Sequence, residues 1–301
     1  MNVSIVIPCY NVENYIRECV ISCRNQTFQD IEIICIDNNS TDDTAKELAV
    51  LKHEFGITFL TEKTPGACAA RNKGLHNATS KYVQFLDADD LLLPTKIETQ
   101  VNYLEEENAH FIVSNYLYQT INGENLKKIV HKDLVKGLYS SRLGITSANL
   151  FKTESVKSVS GWDERLSSSQ EYDLMFRLLK KNYKPIICAN YDTIVREREG
   201  GAITQSDPVN KWRSYIKLRI EIFSWLKENQ PSYFYSESKF YSNKLFEYIQ
   251  ILHTHDRSEA LKIWLFYKTK FKIQPTSSLK KILVKVVGFD TYSNLVKSLK
   301  R

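Results

Sequence analysis

Tyr82-Val83-Gln84-Phe85-Leu86-Asp87-Ala88-Asp89-Asp90 is the stretch that decides how this chain reads. An apolar run of this kind forms a buried strand, and carboxylates released at its carboxyl end project into the crevice where open α/β sheets bind ligands. Carboxylates spaced as Asp87-x-Asp89 can hold Mg2+ or Mn2+, hard cations that take oxygen ligands and keep positions open for a substrate diphosphate. The competing reading is a solvated acidic turn that starts a helix at Asp90.

The chain upstream repeats the same punctuation. Residues 3–7 are a β-branched run, followed by Pro8-Cys9-Tyr10-Asn11 and by apolar residues at helical spacing: Tyr15, Ile16, Cys19, Val20 and Cys23. Residues 31–36 give a second strand, and in the polar loop after it Ser40 or Thr41 is placed to cap a helix through Ala45, Leu48 and Leu51. Residues 57–60 form a third strand, and Pro65-Gly66 opens a helix around residues 67–75. Such alternation predicts a parallel, doubly wound sheet with its functional loops at the strand carboxyl ends. Downstream, residues 111–118 read as one strand, Gly123-Glu124-Asn125 as a hairpin turn, 172–181 as a helix, and 186–189 and 193–195 as short strands.

At 301 residues, 43% apolar and 25% charged, the chain has a globular composition with room for one large domain and an appendage. Charge is uneven: residues 205–301 carry 18 Lys/Arg against 8 Asp/Glu, a balance of +10, which leaves −4 for residues 1–204. This separation suggests chemistry in the first part and docking in the second. Cys9, Cys19, Cys23, Cys35, Cys68 and Cys188 sit mostly in apolar runs with no C-x-x-C pair, which reads as reduced core residues of a cytoplasmic protein. The amino terminus lacks the features of a signal peptide, and no window nears the ~20 apolar residues of a membrane span. A soluble protein, or one peripheral at the inner face of a membrane, is the expectation.

Five loops fall on one edge of the predicted sheet: residues 8–11, 37–40, 65–71, 87–90 and 170–173. Ile5-Val6-Ile7-Pro8-Cys9-Tyr10-Asn11, Ile36-Asp37-Asn38-Asn39-Ser40-Thr41-Asp42, Gly66-Ala67-Cys68-Ala69-Ala70-Arg71-Asn72-Lys73-Gly74 and Phe85-Leu86-Asp87-Ala88-Asp89-Asp90, in that order, resemble the successive motifs of the family-2 glycosyltransferases. The resemblance covers roughly residues 1–205. It implies a GT-A fold, an α/β architecture with a mixed, mainly parallel sheet flanked by helices, and an inverting enzyme that uses a nucleotide-diphospho-sugar with Mn2+ or Mg2+. On this reading residues 1–110 are the nucleotide-sugar half, 111–205 the acceptor half, and 206–301 a basic helical subdomain.

Pro8 and Tyr10, with Asn11, leave the first strand in extended geometry and put a ring where a base or ribose could rest, unless Tyr10 closes the core. Asp37 can accept from a ribose hydroxyl or base N–H. The resemblance gives base reading to Asp37 and the next residue, although Asn38 stands where a second aspartate is usual. Arg71 can reach a base edge or phosphate with its planar fork. The resemblance makes Asp89 the direct metal ligand, with Asp87 meeting the metal or the sugar and ribose hydroxyls and Ala88 also in contact with the nucleotide-sugar; Asp90 reads as the cap of the next helix.

Ser169-Gln170-Glu171-Tyr172-Asp173-Leu174 resembles the family's E-D-x-D-L segment, which places Glu171 as catalytic base, Gln170 in place of the first acid, and Asp173 as the alternative base. Gly161-Trp162-Asp163 resembles an acceptor-side loop, with Trp162 either a sugar-stacking platform or a core residue. Arg196 and Arg198 lie in a segment that resembles a flexible loop, where a guanidinium could meet the diphosphate and Gly200-Gly201 would let the loop close.

From about Asn210 the texture changes to helices at 212–227, 238–253, 259–271 and 279–287, separated by Gln230-Pro231-Ser232 and by residues 274–278. Interleaved lysines and aromatics fit docking to an anionic membrane surface, a lipid-linked acceptor or a homo-oligomer interface, or rings that pack inward. No nucleic-acid module accompanies them. His253 and His255 read as surface residues. The expected function is transfer of a sugar from a UDP-sugar to a hydroxyl of a glycan or lipid-linked acceptor in bacterial surface polysaccharide, capsule or lipo-oligosaccharide synthesis. A sugar nucleotidyltransferase would want a glycine-rich basic loop at the amino end, and a silent glycan-binding scaffold would not need both Asp89 and Glu171.

Overall fold

The computed structural model describes residues 2–198, 207–273, 275 and 277–299. The chain divides into two compact units, Met1–Leu166 with Gln170–Ala202, and Ser167–Ser169 with Ile203–Arg301.

In the first unit β1 (Val3–Cys9), β2 (Ile31–Asp37), β3 (Thr58–Thr61) and β4 (Tyr82–Phe85) run parallel in the order β4-β1-β2-β3, connected through α1 (Ile16–Arg24), α2 (Thr44–Phe55) and α3 (Ala67–Asn77). Val3, Ile5, Val6 and Ile7 are fully buried, as a continuous apolar run requires when both faces of a sheet are covered. Register then sets the site. Cys9 lies beside Asp37 and Val6 beside Phe85, so the loops after β1, β2 and β4 leave from one edge. Helix α3 is pressed onto this sheet at Gly74, where a Cβ would stand 2.2 Å from Val6 Cγ1 and 2.9 Å from Ile36 Cδ1.

The sheet is mixed rather than wholly parallel. After β5 (Leu91–Leu92), α4 (Lys96–Glu106), β6 (Phe111–Ser114), β7 (Tyr116–Gln119), β8 (Asn125–Lys128) and α5 (Leu134–Tyr139), the chain forms β9 (Leu150–Lys152). This short strand inserts antiparallel between β4 and β6. It is followed by α6 (Thr153–Ser158), α7 (Gln170–Lys180), β10 (Pro185–Cys188) and β11 (Thr193–Arg196), giving a seven-stranded sheet β10-β6-β9-β4-β1-β2-β3 and a four-stranded sheet β5-β11-β7-β8. The single strand expected over 111–118 is therefore two strands in two sheets. Asn115 makes the break: its amide donates to the Ala189 carbonyl at 2.8 Å and accepts from Val130 N–H at 2.8 Å. The Gly123 turn does join an antiparallel pair, β7 with β8.

The second unit holds α8 (Pro208–Asn229), α9 (Pro231–His255), α10 (Arg257–Lys270) and α11 (Ser278–Ser298). Pro231 opens α9 rather than lying in a linker, since proline in a first turn forfeits no helical hydrogen bond. Many of its aromatics face inward, with Phe223 4.8 Å from Phe234 and 4.2 Å from Phe271 between ring centroids. His253, expected at the surface, is buried; its ring meets Asp290 at 2.9 Å, and Arg257 grips the same carboxylate through two nitrogens. All six cysteines are free and buried. No helix among the described residues is long and apolar enough to cross a membrane.

Candidate active site

The acidic segment after β4 rests on a buried polar floor. Asp90 does not cap a helix, because α4 begins only at Lys96 behind Thr95. Only 2% exposed, it accepts instead from Ser147 Oγ at 2.5 Å and from the Arg196 N–H at 3.1 Å. The same Ser147 hydroxyl accepts from Asp87 N–H at 3.1 Å, so one serine fixes both ends of the turn. Below it Gln84 donates to the Ser147 carbonyl at 3.0 Å and accepts from the Lys96 ammonium. Burial, with Asp87 and Asp89 beside it, pushes the Asp90 carboxyl well above the usual carboxylate range. The Ala88 side chain is buried in the core.

Arg71 joins three elements. It is 6% exposed, and its guanidinium donates to Asp87 Oδ1 at 2.6 Å and to Gln170 Oε1 at 3.0 Å, linking α3, the end of β4 and the start of α7. Burial works against this cation, but Asp87, then Cys68 and Glu171, hold its pKa above the ordinary arginine value. The guanidinium also lies 4.7 Å over the ring of Trp162. That ring is 2% exposed and meets Phe85 edge-on at 5.0 Å, so the structure makes Trp162 a core residue rather than an open sugar platform. Its neighbour Asp163 is taken by Arg165, whose side-chain hydrogen bonds lower the carboxyl to about 2.

At the β2 end, Asp37 and Asn38 do different work. Asp37 is buried, yet its Oδ1 finds no hydrogen-bond partner among the described residues. Asn38, read from sequence as a base contact, spends both amide hydrogens on the Glu62 and Thr64 carbonyls, at 2.9 and 2.8 Å, and accepts from Gly66 N–H at 2.7 Å. It clamps the loop that leads into α3. Pro8 pairs with Ile36 inside the sheet, whereas Tyr10 is 42% exposed. Asn11, at φ 50°, accepts from Thr41 N–H at 2.8 Å and donates its own N–H to Ser40 Oγ; neither Ser40 nor Thr41 caps α2, which begins at Thr44 behind Asp43.

Two arginines close the opposite side. Arg198 donates to the Asn11 carbonyl at 2.9 Å and approaches Asp89 Oδ2 at 3.4 Å; Arg196 donates to the Asp89 carbonyl and pairs with Glu18. Both guanidinium groups lie over Tyr15, at 4.9 and 5.4 Å. Burial and the Asp87 charge raise the Asp89 carboxyl, and Arg198 and Arg196 offset part of that. Residues 199–203, which carry the expected glycine hinge, lie outside the described residues.

The first turn of α7 carries both candidate bases. Asp173 is bound by Arg177 at 2.7–2.8 Å in an i,i+4 pair, the arrangement of a structural residue. The Glu171 charge adds, behind larger causes, to the upward shifts of Arg71 and Cys68, and after burial it is the main reason the Tyr116 phenol is raised, with Asp90 next. Glu171 and the acidic segment thus share one electrostatic neighbourhood. The sequence reading missed Gln84, Lys96, Ser147 and Tyr15 as parts of this assembly; Gln84, polar inside a buried strand, was the visible signal.

Residues 4–161 match the family described as Glycosyl transferase family 2. The chain belongs to that family. Among curated relatives, it is 39% identical over 149 residues to an uncharacterized glycosyltransferase of Rickettsia felis, covering 50% of this chain and 23% of that protein. It is 31% identical over 183 residues to Glycosyltransferase GlyA of Streptococcus pneumoniae, covering 57% and 26% respectively. The chain thus spans about a quarter of the length of these two relatives. Among solved structures, S. aureus TarS 1–349 in complex with UDP-GlcNAc superposes with a TM-score of 0.67 at 17% identity, covering 99% of this chain and 92% of that one. The family-2 chain therefore has the GT-A fold, a mainly parallel sheet flanked by helices.

The residues fit a divalent ion in one particular way. Among the described residues no three His, Cys, Asp or Glu side chains gather as a metal cage. Asp89 is nonetheless a partly buried carboxylate that burial and the Asp87 charge hold above its ordinary range, with Arg198 at 3.4 Å. One carboxylate plus the oxygens of a substrate diphosphate is a normal Mg2+ or Mn2+ set.

Proposed function

We propose that the protein transfers a sugar from a nucleotide-diphospho-sugar, by preference a UDP-sugar, to a hydroxyl of a glycan or lipid-linked acceptor with inversion. The observation that carries this reading is the Arg71 junction, which draws the end of β4 and the start of α7 into one neighbourhood. The unpartnered Asp37 Oδ1 is an acceptor aligned with that edge, suited to a base N–H or ribose hydroxyl. A uridine donor also fits the TarS structures, which carry UDP-GlcNAc and UDP. On this reading residues 1–205 carry the chemistry and 206–301 serve docking.

Inversion by direct displacement needs a base for the acceptor proton, and Glu171, whose charge bears on Arg71 and Tyr116, is given that role, with Asp173, paired to Arg177, as the alternative. Asp37 and Tyr10 hold the nucleoside, and Arg198, now against Asp89, is placed to turn toward the diphosphate. Asp89 would hold Mn2+ or Mg2+, which when bound supplies positive charge to the leaving diphosphate.

Thermal shift with nucleoside diphosphates, with and without Mn2+, tests the donor site: UDP at 100 Kd should stabilise by about 2.7 kcal/mol, and only with metal. Glu171→Gln should keep that shift and lose about 10²–10⁴-fold in turnover. Turnover within a few-fold of wild type removes Glu171 from the mechanism.

A further inference from the structure

Helix α11 is two segments divided at Gly288, whose φ 82° and ψ 162° lie outside helical geometry. The second segment is anchored: Phe289 stacks 4.7 Å from Trp264 and meets Phe246 at 5.7 Å, Asp290 binds His253 and Arg257, and Tyr292 is buried. The first, residues 278–287, buries none of its residues. A helix of ten residues has little stability of its own in water and normally draws it from an apolar face packed on a neighbour. Here that face is open, with Leu279 68%, Ile282 58%, Leu283 40%, Val286 75% and Val287 36% exposed.

At 100° per residue these five side chains occupy one arc of about 140°. Lys280 and Lys285 flank the arc and Lys281 lies opposite it. The charge around them is one-sided: residues 260–299 contain eight lysines and a single carboxylate, Asp290, which is already bound by His253 and Arg257. In the same unit α10 exposes Leu265 (62%) and Phe266 (69%) between Lys262 and Lys268.

We infer that residues 278–287 form an in-plane anchor that lays its apolar arc on an anionic bilayer surface, with the flanking Lys280 and Lys285 reaching the lipid phosphates. Exposed apolar area plus flanking lysines is the combination such surfaces bind, and long lysine stems let the charge stay at the headgroups. A second copy of the chain fits less well, because facing arcs would bring lysines of like charge together. The inference stands apart from sugar transfer, since its test reads binding without donor or acceptor.

The test is co-sedimentation of the full chain with phosphatidylglycerol-rich vesicles and with pure phosphatidylcholine vesicles, at low and high salt. Binding is expected to the anionic vesicles and to weaken with salt. The variant L279S/I282S/V286S should lower the partition about tenfold or more, and K280E/K285E by at least about fivefold per lysine. Since none of these side chains is buried, both variants should keep the wild-type circular dichroism spectrum and Tm; Val50→Ser, at an exposed apolar position in the other unit, should bind like wild type. Absence of vesicle binding, binding indifferent to both variants, or a concentration-dependent dimer in light scattering that the serine variant abolishes would overturn the inference.

Discussion

Gly74→Ala measures how tightly α3 is seated and whether that seating matters to the site. Two effects oppose each other. Alanine favours a helix interior by about 1 kcal/mol over glycine, but the new methyl would sit 2.2 Å from Val6 Cγ1, where carbon atoms prefer about 3.5 Å or more. Val6 is fully buried in a strand with neighbours on both sides, and its β-branch gives it little room to rotate. The helix must therefore lift by about 1 Å, at the upper end of the roughly 1–3 kcal/mol typical of overpacking. The clash wins by about 2 kcal/mol, or about 4–8 °C in Tm at 2–4 °C per kcal/mol. Arg71 lies one turn earlier, and stretching its 2.6 and 3.0 Å bonds by that displacement takes them to or beyond hydrogen-bond range. A displacement of about 1 Å at a positioned group can cost about 100-fold in turnover. Val6→Ala in the same chain removes both Val6 methyl contacts and should restore part of the Tm, giving a coupling of at least about 1 kcal/mol between the two sites. An unchanged or higher Tm for Gly74→Ala, or no coupling to Val6→Ala, refutes the reasoning.

Arg71→Lys should lose at least one of the two bonds and lower donor stabilisation in thermal shift, while Arg71→Ala, which leaves the partly exposed Asp87 without its partner, should cost about 1.5–3 kcal/mol in chemical denaturation. Burial lowers the Lys96 ammonium to about 7, against about 10.4 unfolded, so between those values the unfolded chain binds the extra proton and stability rises with pH. Lys96→Met removes this contribution, and its stability relative to wild type should fall by about 2 kcal/mol from pH 7 to pH 9 in urea midpoints; a constant difference would refute the assignment. Ser147→Ala should leave Asp90 short of a donor and Asp87 N–H short of an acceptor, costing about 1–3 kcal/mol together with lower turnover. Asn38→Asp cannot donate to the Glu62 and Thr64 carbonyls, so it should lower Tm by several degrees, whereas a residue serving only to read the base would leave the Tm of the free protein unchanged.

What the sequence made legible was local. β1, β2 and β4 came from continuous apolar runs, and the positions of Asp37 and Asp89 followed from where those runs stop, whereas Arg71 came from the helix opened by Pro65-Gly66 and Glu171 only from the family resemblance. β9 was invisible because three residues carry too little periodicity, and its place is set by β4 on one side and β6 on the other. The structural partners of Asn38 and Asp90 were illegible for a related reason. They are backbone carbonyls and a serine 24 to 57 residues away, and side-chain chemistry does not indicate which distant atoms it will meet. Trp162 was equally balanced between platform and core until Phe85 and Arg71 were seen against its ring.

The late insertion of β9 has a consequence for biosynthesis. As the polypeptide leaves the ribosome, β4 can dock on β1 at once, but the partner for its other edge begins at Leu150, 65 residues after Phe85. At about 5–20 residues per second that flank stays uncovered for roughly 3–13 s. During that interval it is a naked row of amide and carbonyl groups next to a hydrophobic surface, a template for mispairing with another nascent chain. Expression yield should therefore respond to translation speed between codons 86 and 150 more than to speed in the helical tail.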